Sequence, residues 1–152
     1  MNIAATQYNL PHKALEIYLS GCNGPHCPGC HNTELWNFDV GEDINKALER
    51  LLIKLERDGD MIQEVWVLGG EPLDQELTQL LVLLSNIPKH FRIVLFTRYE
   101  LSDVPYSVLV YADLIKTGAY VSELACTDRV FAGITLASTN QEVKVRGVDF
   151  CE

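Results

Sequence analysis

The stretch Leu15-Glu-Ile-Tyr-Leu-Ser-Gly-Cys-Asn-Gly-Pro-His-Cys-Pro-Gly-Cys-His-Asn32 decides how the rest of the chain is read. Its first residues alternate, with Leu15, Ile17 and Leu19 on one face and Glu16 and Tyr18 on the other, the pattern of a short strand. Residues 20–32 then carry Cys22, Cys27 and Cys30 among Gly21, Gly24, Pro25, Pro28 and Gly29. Glycine and proline at that density exclude a helix and a sheet ladder alike. The result is an irregular loop that turns tightly and leaves backbone N–H groups free. Five extended residues reach at most about 17 Å and three about 10 Å, so a folded loop gathers all three sulfurs around one small object. Thiolates in that arrangement suit a metal centre.

The number of cysteines narrows the chemistry. A structural zinc site takes four protein ligands. An iron–sulfur cubane with four cysteines is closed, whereas one held by three keeps an iron open to a substrate or cofactor. His26 and His31 stand as candidate fourth ligands for a zinc site, and a pair such as Cys27-Pro-Gly-Cys30 also occurs in zinc knuckles and redox sites. On spacing alone a cluster is favoured, with zinc and no metal as the other readings.

Composition sets the surroundings. The 152 residues suggest one domain, 1–152, and an apolar share of 47% with a charged share of 22% is ordinary for a globular chain. No apolar run approaches the roughly 18 residues of a membrane span, and the N-terminus lacks a basic-then-apolar signal. A cytoplasmic protein is the expectation, and there clustered thiols read as metal ligands rather than disulfides. A formal net charge of −9 argues against binding to nucleic acid or to an anionic membrane surface.

Along the chain, residues 1–13 give no clear period, and Tyr8–His12 reads as a turn. Trp36 and Phe38 read as core plugs in a connector. The spacing predicts a helix over 43–58 with Ile44, Ala47, Leu48, Leu51, Leu52 and Leu55 on one face, capped by Asp43 and closed by Gly59. Strands follow at 64–68, 92–97 and 112–116, with a helix at 74–85 turning Leu77, Leu80, Leu81 and Leu84 inward and a helical turn at 106–111. Residues 130–136 and 142–145 read as short strands flanking a polar turn. This alternation predicts an α/β fold whose parallel strands are joined by right-handed crossovers. Ligands in such sheets bind beyond the carboxyl ends of the strands. The cysteine loop, Gly69-Gly70-Glu71-Pro72, Thr97-Arg98 and Thr117-Gly118 all follow strand ends and should converge on one rim. There Gly69 and Gly70 let backbone approach a ligand closely, and Glu71 offers a carboxylate to a ligand ammonium.

Cys22-x4-Cys27-x2-Cys30 followed by Gly69-Gly70-Glu71-Pro72 resembles a radical S-adenosylmethionine (SAM) enzyme. Ser20-Gly21, Cys27-Pro28-Gly29-Cys30, His31-Asn32, Trp36, Thr97 with Tyr99, and Ser138-Thr-Asn140-Gln141 are similar to the activating enzymes of anaerobic (class III) ribonucleotide reductases, as are Asn9 and Pro11 near the start. The resemblance covers nearly the whole chain. It implies a truncated (β/α) barrel of the radical SAM type, a mostly parallel sheet with flanking helices, and a [4Fe-4S] cluster on Cys22, Cys27 and Cys30. It further implies SAM bound at the open iron and an electron from a donor such as flavodoxin. The product would be a glycyl radical on the reductase. By the same resemblance Gly69, Gly70 and Glu71 contact the methionine end of SAM, and His31, Asn32 and Thr97 lie near the remainder of the cofactor. No catalytic acid or base is needed, because the cofactors carry the chemistry.

The chain departs from that family in four places. Four residues, not the usual three, separate Cys22 from Cys27. Arg98 stands where Gly is common, Gly118-Ala119 where Gly-Lys is common, and Leu136-Ala137 where Arg-Gly is common. Cys126 and Cys151 fit no metal spacing. Activation of another glycyl-radical enzyme, a small-substrate radical SAM enzyme, and a zinc-stabilised binding module are the rival readings.

Overall fold

The alternating strand at the head of the cysteine loop extends over Ala14–Leu19 (β2) in the computed structural model, which describes residues 1–151. It pairs in parallel with β4 (Glu64–Gly69), which pairs in parallel with β5 (Arg92–Phe96), and that with β6 (Leu114–Thr117). The edges are antiparallel: β1 (Asn2–Asn9) and β3 (Glu42–Asp43) extend the sheet beyond β2, and β9 (Glu142–Val145) pairs with β6. The seven strands run in the order β3-β1-β2-β4-β5-β6-β9. The fold is therefore α/β with a mixed sheet whose central strands are parallel. Within residues 1–13, unreadable by period, Asn2–Asn9 form β1, a half-exposed strand held by backbone pairing to β2 along its length and to the two-residue β3 at its start, with no apolar face needed.

Period two sorts the strand side chains onto two faces. Leu15, Ile17, Val65, Val67, Ile93, Leu95 and Ile115 point to one side and pack against α1 (Ile44–Arg57), α2 (Leu77–Asn86) and α3 (Tyr106–Leu109). Ala14, Trp66, Val94 and Leu114 point to the other, where Ile134 and Leu136 cover them. Ile134 belongs to a short hairpin, β7 (Val130–Phe131) and β8 (Ile134–Thr135), turned at Ala132-Gly133. Both turn residues have positive φ, which is why the continuous strand expected over 130–136 is broken.

Other local readings change on inspection. Asp43 caps α1 as expected, its side chain accepting from the Asn45 N–H, a cap worth about 1 kcal/mol. The helix ends at Asp58 rather than through a left-handed Gly59. The segment after Gly70 begins with a 3-10 turn at Pro72–Asp74, so α2 starts three residues later than the pattern suggested. Its buried stripe is Leu80, Leu83 and Leu84, while Leu77 is 41% exposed. Trp36 and Phe38 are not core plugs: Trp36 is half-buried against His26, and Phe38 lies outside, 38% exposed, its ring over Gly21. Among the described residues no helix is long and apolar enough to cross a membrane.

Candidate functional site

The carboxyl ends of β2, β4, β5 and β6 open onto one cavity. It is lined by Cys22, Cys27 and Cys30, by Gly69, Gly70 and Glu71, by Thr97 and Arg98, and by Lys116 and Gly118. Its volume of about 220 Å³ lies somewhat below the range of about 300–1,000 Å³ common for small-molecule sites. Leu68, Phe96 and Lys116 continue the inner face of the sheet into it. His31 and Asn32 line the same cavity, so every site residue read from the sequence is brought together here.

The cysteine loop is seated by backbone. Gly21 N–H donates to the Leu35 carbonyl at 2.7 Å and Cys22 N–H to that of Trp36 at 3.2 Å. Glu71 N–H donates to the Gly21 carbonyl at 2.8 Å, and the buried Gln75 amide donates to the carbonyls of Ser20, at 2.9 Å, and Glu71, at 3.1 Å. This seating explains the paired glycines. A Cβ at Gly70 would lie 2.3 Å from the Gly21 carbonyl oxygen, and one at Gly69, whose φ is +119°, 2.5 Å from Leu19 N. The missing side chains make room for the root of the cysteine loop, a packing role beside the ligand role read from sequence. Within the loop, Cys30 N–H closes a turn on the Cys27 carbonyl, and the Asn32 N–H lies 3.5 Å from Cys30 Sγ as donor. His26 stacks on Trp36 at 3.9 Å between ring centres, and its Nε2 donates to the Cys22 carbonyl at 2.8 Å.

Glu71 is 2% exposed, and its carboxylate is already engaged. Oε1 accepts from Thr97 Oγ1 at 2.7 Å and Leu73 N–H at 3.0 Å, and Oε2 from Arg98 N–H at 2.8 Å. Burial pushes its pKa above the ordinary carboxylate value, and the three donors pull it back. Tyr18, on the strand that leads into the loop, donates to Glu16, and burial with that contact pushes its pKa up to about 12.

Four residues of the site were not singled out for it from the sequence. Lys116 reaches the cavity from within an apolar strand, and burial lowers its ammonium pKa. The signal was there, since a lysine inside Leu114-Ile115-Lys116-Thr117 on the inner face has only the cavity to face. Arg98 was placed at the rim beside Thr97 and noted as a departure from the family pattern, with no role of its own. Tyr120 lies 5.5 Å from the His31 ring and beside Gly29, and Gln141 joins it in the cavity wall. Gln141 is 1% exposed and accepts from Ala137 N–H at 3.0 Å while donating to the Gly118 carbonyl at 3.1 Å, so the Ser138–Gln141 turn holds the loop after β6 against the cavity.

The residues fit a thiolate-held cluster on two observations. The first is that Cys22, Cys27 and Cys30 line one cavity, where thiolates suit an iron–sulfur group. The second is Arg98 Nε, the one buried side-chain polar atom without an acceptor among the described residues, in a side chain that lines the same cavity.

A parallel-centred α/β sheet with three cysteines at one strand-end cavity defines an iron–sulfur class of protein, and the comparison agrees: the chain belongs to the 4Fe-4S single cluster domain family, whose pattern matches residues 13–144. It is similar to the anaerobic ribonucleoside-triphosphate reductase-activating proteins of Escherichia coli (strain K12), with 28% identity over 143 residues, and Salmonella typhimurium, with 27% over 143 residues. Each of these alignments covers 89% of this chain and 90% of the relative. The Vibrio cholerae protein of the same name is 27% identical over 125 residues, or 77% of this chain and 80% of its own.

Proposed function

We propose that this chain is a radical SAM activase that installs a glycyl radical on an anaerobic ribonucleoside-triphosphate reductase. The observation that carries the reading is the sharing of one cavity by Cys22, Cys27 and Cys30 with the strand-end residues Gly69, Gly70, Glu71 and Thr97. The names of the relatives support the partner, and the open, parallel-centred sheet with helices on one face supports a truncated barrel of the radical SAM type. A [4Fe-4S] cluster held by Cys22, Cys27 and Cys30 would supply, from a donor such as flavodoxin, the electron for reductive cleavage of SAM, the radical chemistry that removing hydrogen from a glycine of the reductase requires.

The chain's own residues bind, orient and shield. Cys22, Cys27 and Cys30 are the thiolate ligands. A carboxylate has about four lone-pair sites, and Glu71 uses three, so one remains for the ammonium of the methionine end. Lys116 supplies the opposite charge for the carboxylate of that end. His31, Asn32 and Thr97 border the space left for the adenosine. Leu68 and Phe96 close the floor with apolar surface and keep water from a reactive carbon radical.

The test is anaerobic reconstitution with iron and sulfide. A brown protein with about four irons per chain, releasing 5′-deoxyadenosine on addition of dithionite and SAM, is the expected result. A colourless protein retaining one zinc would replace this reading with a binding module.

A further inference from the structure

The segment between Cys22 and Cys27 is gripped from outside the loop by one side chain. Arg98 Nη2 donates to the Gly24 carbonyl at 2.6 Å, and lies 2.9 Å from Tyr99 Oη and 3.5 Å from Asp74 Oδ2. Asp74, whose side chain is 4% exposed, accepts the Asn23 N–H at 2.8 Å and the Tyr99 hydroxyl at 2.6 Å. The guanidinium also lies over the Tyr99 ring, 4.4 Å from its centre. Two consecutive loop residues, Asn23 and Gly24, are thus tied to a half-buried Arg–Asp–Tyr set at the end of the 3-10 turn and just past the end of β5. The set meets both polarities of the loop backbone: Asp74 takes the Asn23 N–H and Arg98 the Gly24 carbonyl.

The set is incomplete on one atom. Arg98 Nε is buried with no acceptor, an arrangement that ordinarily costs stability. Its side chain lines the same cavity as Cys22, Cys27 and Cys30, which brings a positive charge to the place where three thiolates gather.

We propose that Arg98 is the positioning residue of the cluster loop: through Gly24 and Asp74 it fixes the Cys22–Cys27 segment, and through its guanidinium charge at the same cavity it raises the reduction potential of the cluster. The proposal rests on the reading of Cys22, Cys27 and Cys30 as cluster ligands. Positive charge beside the cluster favours the reduced, more negative state. Arg98 needs no contact with the reacting atoms for this.

Two variants separate its two parts. Arg98→Lys keeps the charge and loses the fork, and Arg98→Gln loses the charge. Hydrogen exchange of the full-length apo protein, read on peptides spanning 20–30, tests the grip without any cluster. Both variants should exchange there several-fold faster than the parent chain, with peptides of α1 unchanged. Parent-like exchange in both overturns the positioning role. The potential is read on reconstituted protein by a redox titration followed by electron paramagnetic resonance. Arg98→Gln should hold an about tenfold lower ratio of reduced to oxidised cluster at a fixed poise, equivalent to ~59 mV for a one-electron couple, and Arg98→Lys should stay near the parent. A parent-like potential in Arg98→Gln overturns the tuning role. Failure of the parent chain itself to take up iron would instead refute the cluster reading, and the exchange data would still decide the grip.

Discussion

Glu71 Oε1 accepts the Thr97 hydroxyl at 2.7 Å, which ties the carboxyl end of β4 to that of β5 inside the candidate site. The Thr97 oxygen also accepts the Tyr99 N–H at 3.1 Å, so one hydroxyl orders both the carboxylate and the start of the Arg98–Tyr99 segment. Thr97→Val keeps the shape and removes both bonds in a residue 4% exposed. The expected loss is about 1–3 kcal/mol of unfolding free energy, the usual cost of stranding buried polar groups. Urea unfolding of the apo protein at neutral pH measures it. A change below about 0.5 kcal/mol would mean that the Glu71–Thr97 bond is dispensable to the fold.

The burial of Glu71 has a pH signature. In the unfolded chain the group titrates near its ordinary value of 4.5, and in the fold burial raises it. Between those two values the folded state holds more proton than the unfolded state. Stability on account of Glu71 is therefore fully present below 4.5, falls as pH rises through the folded value, and is flat above it. Glu71→Gln removes this dependence. The difference in unfolding free energy, parent minus Glu71→Gln, should decline as pH rises from about 4.5 and then level. Urea midpoints at half-unit steps supply the comparison, and a difference that rose with pH would show that the three donors outweigh burial.

Cysteine function is predicted to divide sharply by place. Cys22, Cys27 and Cys30 share the cavity, whereas Cys126 donates to the Leu136 carbonyl and Cys151 lies beyond β9. Cys27→Ala should lose most iron and all SAM cleavage on reconstitution. Cys126→Ala and Cys151→Ala should load and cleave as the parent does. Iron analysis and 5′-deoxyadenosine release on one set of preparations check both statements. Retained cleavage in Cys27→Ala would refute its assignment as a ligand.

How much of this was legible in the sequence depends on which force placed each residue. Helix α1 and strands β2, β4 and β5 were legible because burial alone dictates their period. Helix α2 was legible as a helix but not in its facing: Leu77, Leu80, Leu81, Leu83 and Leu84 leave nearly every rotation apolar, and the 3-10 turn at Pro72–Asp74 sets which stripe goes inward. β1 was invisible because a half-exposed strand is held by backbone pairing that leaves no mark on side-chain pattern. The site was legible as a set of strand ends, since parallel topology brings those together whatever their sequence. The partners of its groups were not legible. That Glu71 is occupied by Thr97, Leu73 and Arg98, or that Gly70 is bare for the Gly21 carbonyl, depends on contacts between segments far apart in sequence.

The glycines of the site offer the sharpest test of that packing. Gly147 has φ of +79° with open space around the missing Cβ, so Gly147→Ala meets only the left-handed backbone penalty, about 1–2 kcal/mol. Gly70 lacks a positive φ, yet a methyl group there would meet the Gly21 carbonyl oxygen at 2.3 Å and that of Leu35 at 2.8 Å. Both are backbone atoms at the root of the cysteine loop and cannot swing aside as a side chain would. Gly70→Ala must therefore push the loop from its seat, breaking the Glu71 N–H bond to the same Gly21 carbonyl. The expected result is a destabilisation of about 1–3 kcal/mol together with reduced iron uptake, while Gly147→Ala loses stability alone and loads normally. Unfolding midpoints and iron content measured side by side decide it, and normal loading of a stable Gly70→Ala would show that the loop seat is softer than its backbone contacts require.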